Sequence, residues 1–239
     1  MQRFWLLVWM ASCAQPQTPV ADVESGGPEI VDRGSRTAAS SPADEFDQGC
    51  EPEMFMDRPA GAHGLHAFED ASGQYGFRDG TGKVLIAPRF RFAYQFGAEG
   101  VAAVIDDGGP AFIDTTGRML ARAYIFDNGP DYFVAGRARI VKDGKVGFID
   151  RRGRIVVEPR YDYATSFCEA RAAVCIGCRS QPNVDHTDFV GGRWGYIDPD
   201  GRTVVALDLE AASEFSDGEA HIVKRGKGMR IDRDGHVLR

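Results

Sequence analysis

Short runs of alternating apolar and polar residues cover most of this chain, and one run returns at a nearly constant interval. In Val146-Gly147-Phe148-Ile149-Asp150, the side chains of Val146 and Phe148 share one face of an extended strand, and Ile149 lies on the other face. The same run stands at 75–77 and 194–198, with weaker copies at 111–114 and 228–232. This pattern predicts β-strands arranged as internal repeats.

A turn follows each copy of the run. Aspartate occupies its first position and glycine its fourth, which is the residue preference of a type I turn that leads into a second strand. The turn glycines lie 35, 36, 48 and 34 residues apart, so the third interval contains an insertion. They are Gly82, Gly117, Gly153, Gly201 and Gly235.

Each repeat continues with a second and a third strand. The third strand places an alanine two residues before a β-branched residue, as in Ala138 and Ile140, and these two side chains share the inner face. We expect the polar residues that alternate with them to form an outward face, and we predict that this face binds a partner. These residues are Arg137, Arg139, Arg171, Glu219 and His221.

The glycine inside the run has no side chain to pack. We expect Gly147 and Gly195 to lie where a neighbouring backbone approaches closely. A glycine inside a strand otherwise lowers the stability of the fold with no compensating contact.

The predicted fold is all-β, an array of about five three-stranded repeats. We place units at about 74–105, 109–141, 145–175 and 193–224, a partial unit at 226–239, and an isolated third strand at 64–70. The two end fragments together would complete one unit. We therefore expect closure into a ring, barrel or propeller rather than an open solenoid, since closure removes exposed edges.

The Trp194-Gly195-Tyr196-Ile197-Asp198 run resembles the signature of the WG-repeat family of bacterial β-repeat proteins. The resemblance covers residues 64–239, although Tyr75 and Val146 replace the tryptophan and Pro110-Ala111 lacks both signature residues. It implies an extracytoplasmic or cell-surface β-scaffold, and it brings no shared catalytic residue.

The first twelve residues have the order of an export signal. Arg3 precedes the apolar run 4–10, which is too short to span a bilayer, and Ala11-Ser12 lead to Cys13. Met10-Ala11-Ser12-Cys13 resembles the lipobox of bacterial lipoproteins, which implies that Cys13 carries lipid. Ordinary cleavage near Ala14 is the alternative. Ala14 after the cysteine resembles outer-membrane sorting, so we expect a lipoprotein of the outer membrane or the periplasmic face.

Residues 13–49 are rich in Pro, Ser, Gly, Ala, Thr and acidic residues, which predicts a disordered tether. Residues 50–239 are long enough for one core. The net charge of −7 and the lack of a long basic run argue against nucleic acid or anionic lipid as the main partner. Any membrane attachment would then depend on the N-terminal lipid alone.

Four further cysteines, Cys50, Cys168, Cys175 and Cys178, predict two disulfides in an exported protein. A strand over 170–175 would hold Cys168 and Cys175 roughly 20 Å apart at about 3.3 Å per residue, beyond the ~7 Å limit. We favour Cys175–Cys178 with Cys50–Cys168, and Cys168–Cys178 with Cys50–Cys175 is the alternative. A redox pair at 175–178, a zinc site that adds His186, and calcium loops at 198–201 and 232–235 are weaker readings.

The insertion, at about 177–192, contains Arg179, His186 and Asp188. Loops that project from a repeat scaffold often carry recognition, and a tolerated surface loop is the alternative. No nucleophile elbow, phosphate loop or zinc-protease motif appears. We therefore expect no catalysis, metal or cofactor, and predict a binding or scaffold protein of the cell envelope with a protein partner. An envelope glycan hydrolase or glycan-binding module is the alternative.

Overall fold

A computed structural model describes residues 49–182 and 187–239, and the fold in these ranges is all-β. The predicted signal, Cys13, nearly all of the tether and His186 lie outside the described residues. The strands form small antiparallel sheets that follow one another along the chain. Two short 3₁₀ turns, Phe55–Asp57 and Ala62–Gly64, precede the first repeat.

The strands group into five successive three- or four-stranded units, called sheets here and numbered in chain order, of which the second and third are parts of one nine-stranded sheet. The first contains β2 (His66–Glu69), β3 (Tyr75–Arg78) and β4 (Val84–Phe90). The second contains β5 (Phe92–Ala93), β6 (Val101–Asp106), β7 (Gly109–Asp114) and β8 (Met119–Ala123). The third contains β11 (Phe133–Val134), β12 (Arg137–Lys142), β13 (Lys145–Asp150) and β14 (Ile155–Tyr161).

The fourth sheet contains β15 (Tyr163–Ala164), β16 (Ala172–Pro182), β17 (Thr187–Ile197) and β18 (Thr203–Leu209). The fifth contains β19 (Ala211–Ala212), β20 (Glu219–Lys224) and β21 (Lys227–Asp232). Pairing of β8 with β12 joins the second and third sheets, and β1 (Pro52–Glu53) adds to β11. A separate hairpin is made by β9 (Ile125–Phe126) and β10 (Gly129–Pro130).

Each sheet combines strands from two repeats. The third strand of one repeat pairs with the signature strand of the next, so β2 pairs with β3 and β20 pairs with β21. The fragment at 64–70 therefore has its partners in the first sheet. The pairings described for 49–182 and 187–239 include none that joins the first sheet to the fifth, and closure of the array stays a prediction.

The predicted turns are confirmed. Gly82 donates its N–H to the carbonyl of Asp79 at 3.0 Å, and its φ of 91° is one that favours glycine. The Oδ1 of Asp79 accepts the backbone N–H groups of Thr81 and Lys83 at 2.9 and 3.0 Å. The same arrangement recurs at Asp114, Asp150, Asp198 and Asp232.

The predicted role of the signature glycine is also supported by the geometry. A Cβ on Gly195 would lie 2.5 Å from the carbonyl oxygen of Val205 and 2.9 Å from the carbonyl carbon of Ala206 in β18. The pairing of β17 with β18 shifts register at this point, so the second strand bulges over the glycine. In the second sheet Ala111 replaces the glycine, and the pairing runs without a shift from Ala111 to Phe112.

Successive sheets contact each other through their turns. A Cβ on Gly201 would lie 2.9 Å from the side chain of Val157 in the preceding sheet, and Gly235 has the same relation to Val205. The side chain of Arg160 donates to the carbonyl of Gly201 at 3.1 Å. In each of the first four sheets, an apolar residue of the second strand therefore packs against the turn of the next sheet.

The residues before the first repeat are part of the core. Phe55 is buried against Tyr94, Phe112, Tyr132 and Phe133, with ring centroids 5.4 to 6.3 Å apart. Because β1 pairs with β11, this segment lies against the third sheet before the chain enters the first sheet.

Candidate functional site

The insertion is a long β-hairpin in the fourth sheet. In the third and fifth sheets a two-residue turn joins the third strand to the signature strand, at 143–144 and 225–226. In the fourth sheet residues 177–192 replace that turn, and β16 and β17 continue their pairing from Cys178↔Gly191 to Pro182↔Thr187. The hairpin therefore extends beyond the length of the strands in the other sheets.

The base of the hairpin is held by several contacts. The ring of Phe189 stacks on Tyr163 with centroids 3.8 Å apart, and Trp194 donates its indole N–H to the carbonyl of Gly191 at 2.9 Å. Gly177, with a φ of 81°, donates its N–H to Asp162 Oδ2 at 2.7 Å. The pKa of Asp162 is lowered chiefly by the hydrogen bond that its carboxylate accepts from Lys145, and further by the one from the Gly177 N–H.

The disulfides follow the favoured pairing. Cys50 is bonded to Cys168, with Cα atoms 4.6 Å apart, and Cys175 is bonded to Cys178, with Cα atoms 6.1 Å apart. The first bond fixes the start of the described chain to the fourth sheet. The second lies at the base of the hairpin. All four sulfurs are thereby engaged in disulfides, so none is a thiolate ligand for zinc.

The prediction that the arginines of the third strands face outward is wrong. Arg137 is buried and donates its Nε–H to the carbonyl of Pro199 at 3.2 Å. Arg171, at the same repeat position, donates to the carbonyl of Arg233 at 2.7 Å. Both carbonyls belong to the turn of the next sheet, so these two side chains fasten one sheet to its successor.

Arg139 is the larger correction. Its side chain is 5% exposed and forms an ion pair with Asp131, which is 3% exposed, at 2.6 Å. The guanidinium also donates to the carbonyl of Ala164 at 3.1 Å and lies 4.4 Å from the centroid of the Tyr124 ring. Both faces of β12 are covered by neighbouring segments, so alternation along this strand does not separate core from solvent.

The other predicted binding residues lie on the surface or near it. Arg179 is exposed on the hairpin, and Asp188 is half-buried there. Glu219 forms an ion pair with Arg230 at 2.6 Å, and His221 is exposed on β20. The structure does not gather these residues with Arg137 and Arg171 into one site.

Arg139 and Asp131 line a cavity of about 290 Å³. Its walls include the rings of Phe126, Tyr132 and Tyr163, and Glu214 stands at its edge as an exposed residue. The cavity thus combines one fixed ion pair with partly exposed aromatic rings. We name it the Arg139 pocket.

Sequence reasoning identified Arg139 but missed the other residues of this pocket. One signal was available for Asp131. It stands two residues before Phe133, a position that holds Tyr94 before Phe96, Thr165 before Phe167 and Ser213 before Phe215. A charged residue in a place where sister repeats carry a neutral hydroxyl marks a local departure from the repeat pattern.

The arrangement of signature strand, turn, bulged second strand and third strand has a family counterpart. The sequence model of the WG containing repeat family matches residues 75–109, 147–177 and 194–227. The chain is a WG-repeat protein. Its sequence has no significant match among curated proteins.

The unmatched stretch 110–146 of this WG-repeat protein contains the repeat in which Ala111 replaces the signature glycine. The same stretch supplies Phe126, Asp131, Tyr132 and Arg139 to the pocket. The pocket therefore belongs to the repeat that departs most from the family pattern. It is a property of this chain rather than of the repeat.

Residues 49–182 and 187–239 contain no group of three or more His, Cys, Asp or Glu residues placed to hold a metal ion. No helix within these ranges has the length and apolar character needed to cross a bilayer.

Proposed function

We propose that this WG-repeat protein binds another protein at the bacterial cell envelope, in an extracytoplasmic compartment, and performs no catalysis. The observation that carries the proposal is the hairpin 177–192, which stands where the neighbouring repeats have a two-residue turn. Growth of a turn into an ordered arm adds surface without altering the repeat beneath it.

The exposed residues of the hairpin suit recognition. Val190 is 39% exposed and pairs with Arg179, which is also exposed, and Ile176, 38% exposed, directly precedes the hairpin. Among the described strands, β15 reaches only Val174 and Cys175, and β18 reaches only Trp194. The outer part of the hairpin therefore offers unpaired strand edges, to which an extended partner segment is able to add.

The fixed base supports the same function. A disulfide, a stacked ring pair and the Gly177–Asp162 hydrogen bond hold the hairpin before any partner arrives. Less conformational entropy is then lost on binding than for a flexible loop.

The test is a shortened variant in which Asp-Gly replaces residues 177–192, as in the turn Asp143-Gly144. Cys175→Val accompanies it, because Val141 holds this position in the third sheet and the partner Cys178 is removed. Each protein is immobilised and exposed to an envelope extract, and bound proteins are identified by mass spectrometry. We expect specific partners on the full chain and their loss from the shortened variant.

The control carries Cys175→Val and Cys178→Ser with the full hairpin. It should retain the partners, which would separate the surface of the hairpin from its disulfide. Partners that remain on the shortened variant would contradict a role for the hairpin. If the full chain captures no partner, the proposal fails and the protein is a purely structural spacer.

The rival function is hydrolysis of an envelope glycan, which needs two carboxylates about 5–10 Å apart across a cleft. Asp131 and Glu214 share the Arg139 pocket. However, Asp131 Oδ2 accepts two hydrogen bonds from Arg139 and Oδ1 accepts a third. A carboxylate held in this way suits positioning better than nucleophilic attack. Release of reducing ends from peptidoglycan by the purified protein would contradict our proposal.

The proposal includes a lipid anchor at Cys13, which the lipobox-like run supports. A Cys13→Ser variant should leave the membrane fraction or remain as uncleaved precursor, as judged by fractionation and mass spectrometry. Unchanged membrane association and processing would exclude lipid at this residue.

Ring closure would determine how much of the array is available to a partner. It requires the first and fifth sheets to meet. Cysteines introduced at Ser72 and Arg225, in the turns of these sheets, would crosslink efficiently in a ring and remain apart in an open array.

A further inference from the structure

The buried pair at the base of the Arg139 pocket is not needed by the fold. In the fourth sheet the Thr165 hydroxyl accepts the backbone N–H of Ala173 at 3.0 Å, and in the fifth the Ser213 hydroxyl accepts that of His221 at 2.9 Å. In the third sheet Asp131 Oδ2 accepts the N–H of Arg139 at 2.7 Å.

The third, fourth and fifth sheets therefore share one hydrogen-bond acceptor at this position, and in the fourth and fifth a neutral hydroxyl is sufficient. An aspartate does the same only at the desolvation cost of burying its charge, which Arg139 then offsets. The sister residues of Arg139 are Ala103, Ala173 and His221. A buried ion pair that replaces a sufficient neutral pair indicates a function beyond stability.

The pair presents a donor and an acceptor side by side. Arg139 donates to both oxygens of Asp131, and the two groups together carry no net charge. Their geometry is fixed further by the bond from Arg139 to Ala164. Two adjacent hydroxyl groups match such a surface, because one is able to donate to the carboxylate while the other accepts from the guanidinium.

The walls supply the complementary apolar contact. Phe126 is 49% exposed and lies at the turn of the hairpin formed by β9 and β10, where Asp127 and Asn128 have positive φ values of 45° and 62°. Its ring centroid is 6.3 Å from that of Tyr132 and 5.5 Å from the Arg139 guanidinium. An aromatic face beside a polar base accommodates a molecule with C–H groups on one side and hydroxyl groups on the other.

We propose that the Arg139 pocket binds one ring of a neutral saccharide, with adjacent hydroxyl groups on Arg139 and Asp131 and the C–H face against Phe126. The volume of about 290 Å³ suits a single ring, and the open edge at Glu214 allows a longer chain to continue outward. Arg139 and Asp131 neutralise each other, so the carboxylate of Glu214 leaves the charged lining of the pocket at −1, which disfavours anionic ligands. This site is distinct from the exposed surface of the protein-binding hairpin, although its wall shares Tyr163 with the base of that hairpin.

The test measures saturation-transfer NMR of the full chain with glucose, galactose, mannose, N-acetylglucosamine and the β1,4-linked disaccharide of N-acetylglucosamine. We expect at least one sugar to give a saturable signal. Phe126→Ala should weaken that binding roughly tenfold, the loss expected when one aromatic contact is removed. Ile125→Ala is the matched control, because Ile125 is 63% exposed in the same hairpin and does not line this pocket.

A second variant, Asp131→Thr with Arg139→Ala, copies the Thr165–Ala173 pair of the next repeat. It keeps the acceptor that the fold requires and removes the ion pair, so it should fold, as judged by circular dichroism and thermal unfolding, and bind no sugar. The proposal is overturned if no sugar in the panel gives a saturable signal. It is overturned equally if binding survives this double variant or remains unchanged in Phe126→Ala.

Discussion

Single residues in this fold are constrained by backbone approach and by buried charge. In the fourth sheet the signature glycine, Gly195, lies under a bulge of the second strand, β18. In the fifth sheet, no described second strand lies beside the signature glycine, Gly228. A Cβ on Gly228 would meet no atom within 4 Å. The same residue in the same motif therefore has different requirements in different sheets.

Gly195→Ala should destabilise the protein by about 1–3 kcal/mol, because its Cβ would overlap the backbone of Val205 and Ala206. Gly228→Ala is the matched control and should be neutral or slightly stabilising, since alanine favours an ordered strand over glycine. Urea denaturation of both variants provides the measurement. Equal losses in the two would show that backbone approach does not explain the glycine.

Arg139→Met should cost about 3–5 kcal/mol, because it leaves the carboxylate of Asp131 buried without its partner. Arg91→Met removes an ion pair with Asp107 in which both side chains are largely exposed, and it should cost less than about 0.5 kcal/mol. Chemical denaturation distinguishes the two. A small effect at Arg139 would mean that water reaches Asp131 when the guanidinium is absent.

At the scale of elements, the hairpin turns and the contacts between sheets follow one rule. An aspartate carboxylate organises the turn that precedes each second strand, and from the second sheet onward that turn packs on the second strand of the preceding sheet. In two cases an arginine from the preceding third strand donates to a carbonyl of the turn. The turns are therefore both local structure and the joints of the array.

Acid should weaken two turns of the first sheet, Asp70–Gly73 between β2 and β3 and Asp79–Gly82 between β3 and β4. The pKa of Asp70 is lowered by its hydrogen bond from Ser72, and that of Asp79 by its bond from Thr81. A lowered folded-state pKa stabilises the fold above the unfolded value of about 4, and this contribution is lost as the pH falls through the folded value.

The variant Asp70→Asn with Asp79→Asn keeps an acceptor oxygen in each turn and does not titrate. Its urea midpoint should fall less than that of the wild type between about pH 5 and about pH 2.5. Asp107→Asn, at a carboxylate that pairs with the exposed Arg91, should follow the wild type. An identical acid response in all three proteins would remove these turns as the cause.

Arg171→Met tests the joint between the fourth and fifth sheets. Loss of its bond to the Arg233 carbonyl should speed amide hydrogen exchange in the turn 232–236 more than in the turn 79–82. Uniform acceleration across both turns would indicate global destabilisation instead.

For the described part of the molecule, stability depends on contacts between segments far apart in sequence. The segment that contains Phe55 lies against the third sheet, and Cys50 is bonded to Cys168 in the fourth, 118 residues away. These contacts link the start of the fold to its middle, which nearest-neighbour packing of repeats does not do.

Removal of Cys50–Cys168 by paired alanine substitutions should cost about 5 kcal/mol, because the bond closes a long loop in the unfolded chain. Removal of Cys175–Cys178, which closes a loop of three residues, should cost about 2 kcal/mol or less. Thermal unfolding of the two variants gives the comparison. A larger loss from the short loop would show that strain or packing, rather than chain entropy, determines the effect.

The repeats, the turns, the role of the signature glycine and the favoured disulfide pairing could be predicted from the sequence. Each depends on short-range rules: two-residue alternation in strands, aspartate and glycine preferences in turns, and the reach of a few extended residues. Only the assembled fold shows that β2 completes a sheet with the next repeat, that Phe55 is core, and that Arg137 and Arg139 are buried. Alternation shows which side chains share a face, but whether that face meets water or another segment depends on residues far away in the chain. The Arg139 pocket could not be predicted for this reason, since Phe126, Asp131, Tyr163 and Glu214 meet only after three sheets have assembled.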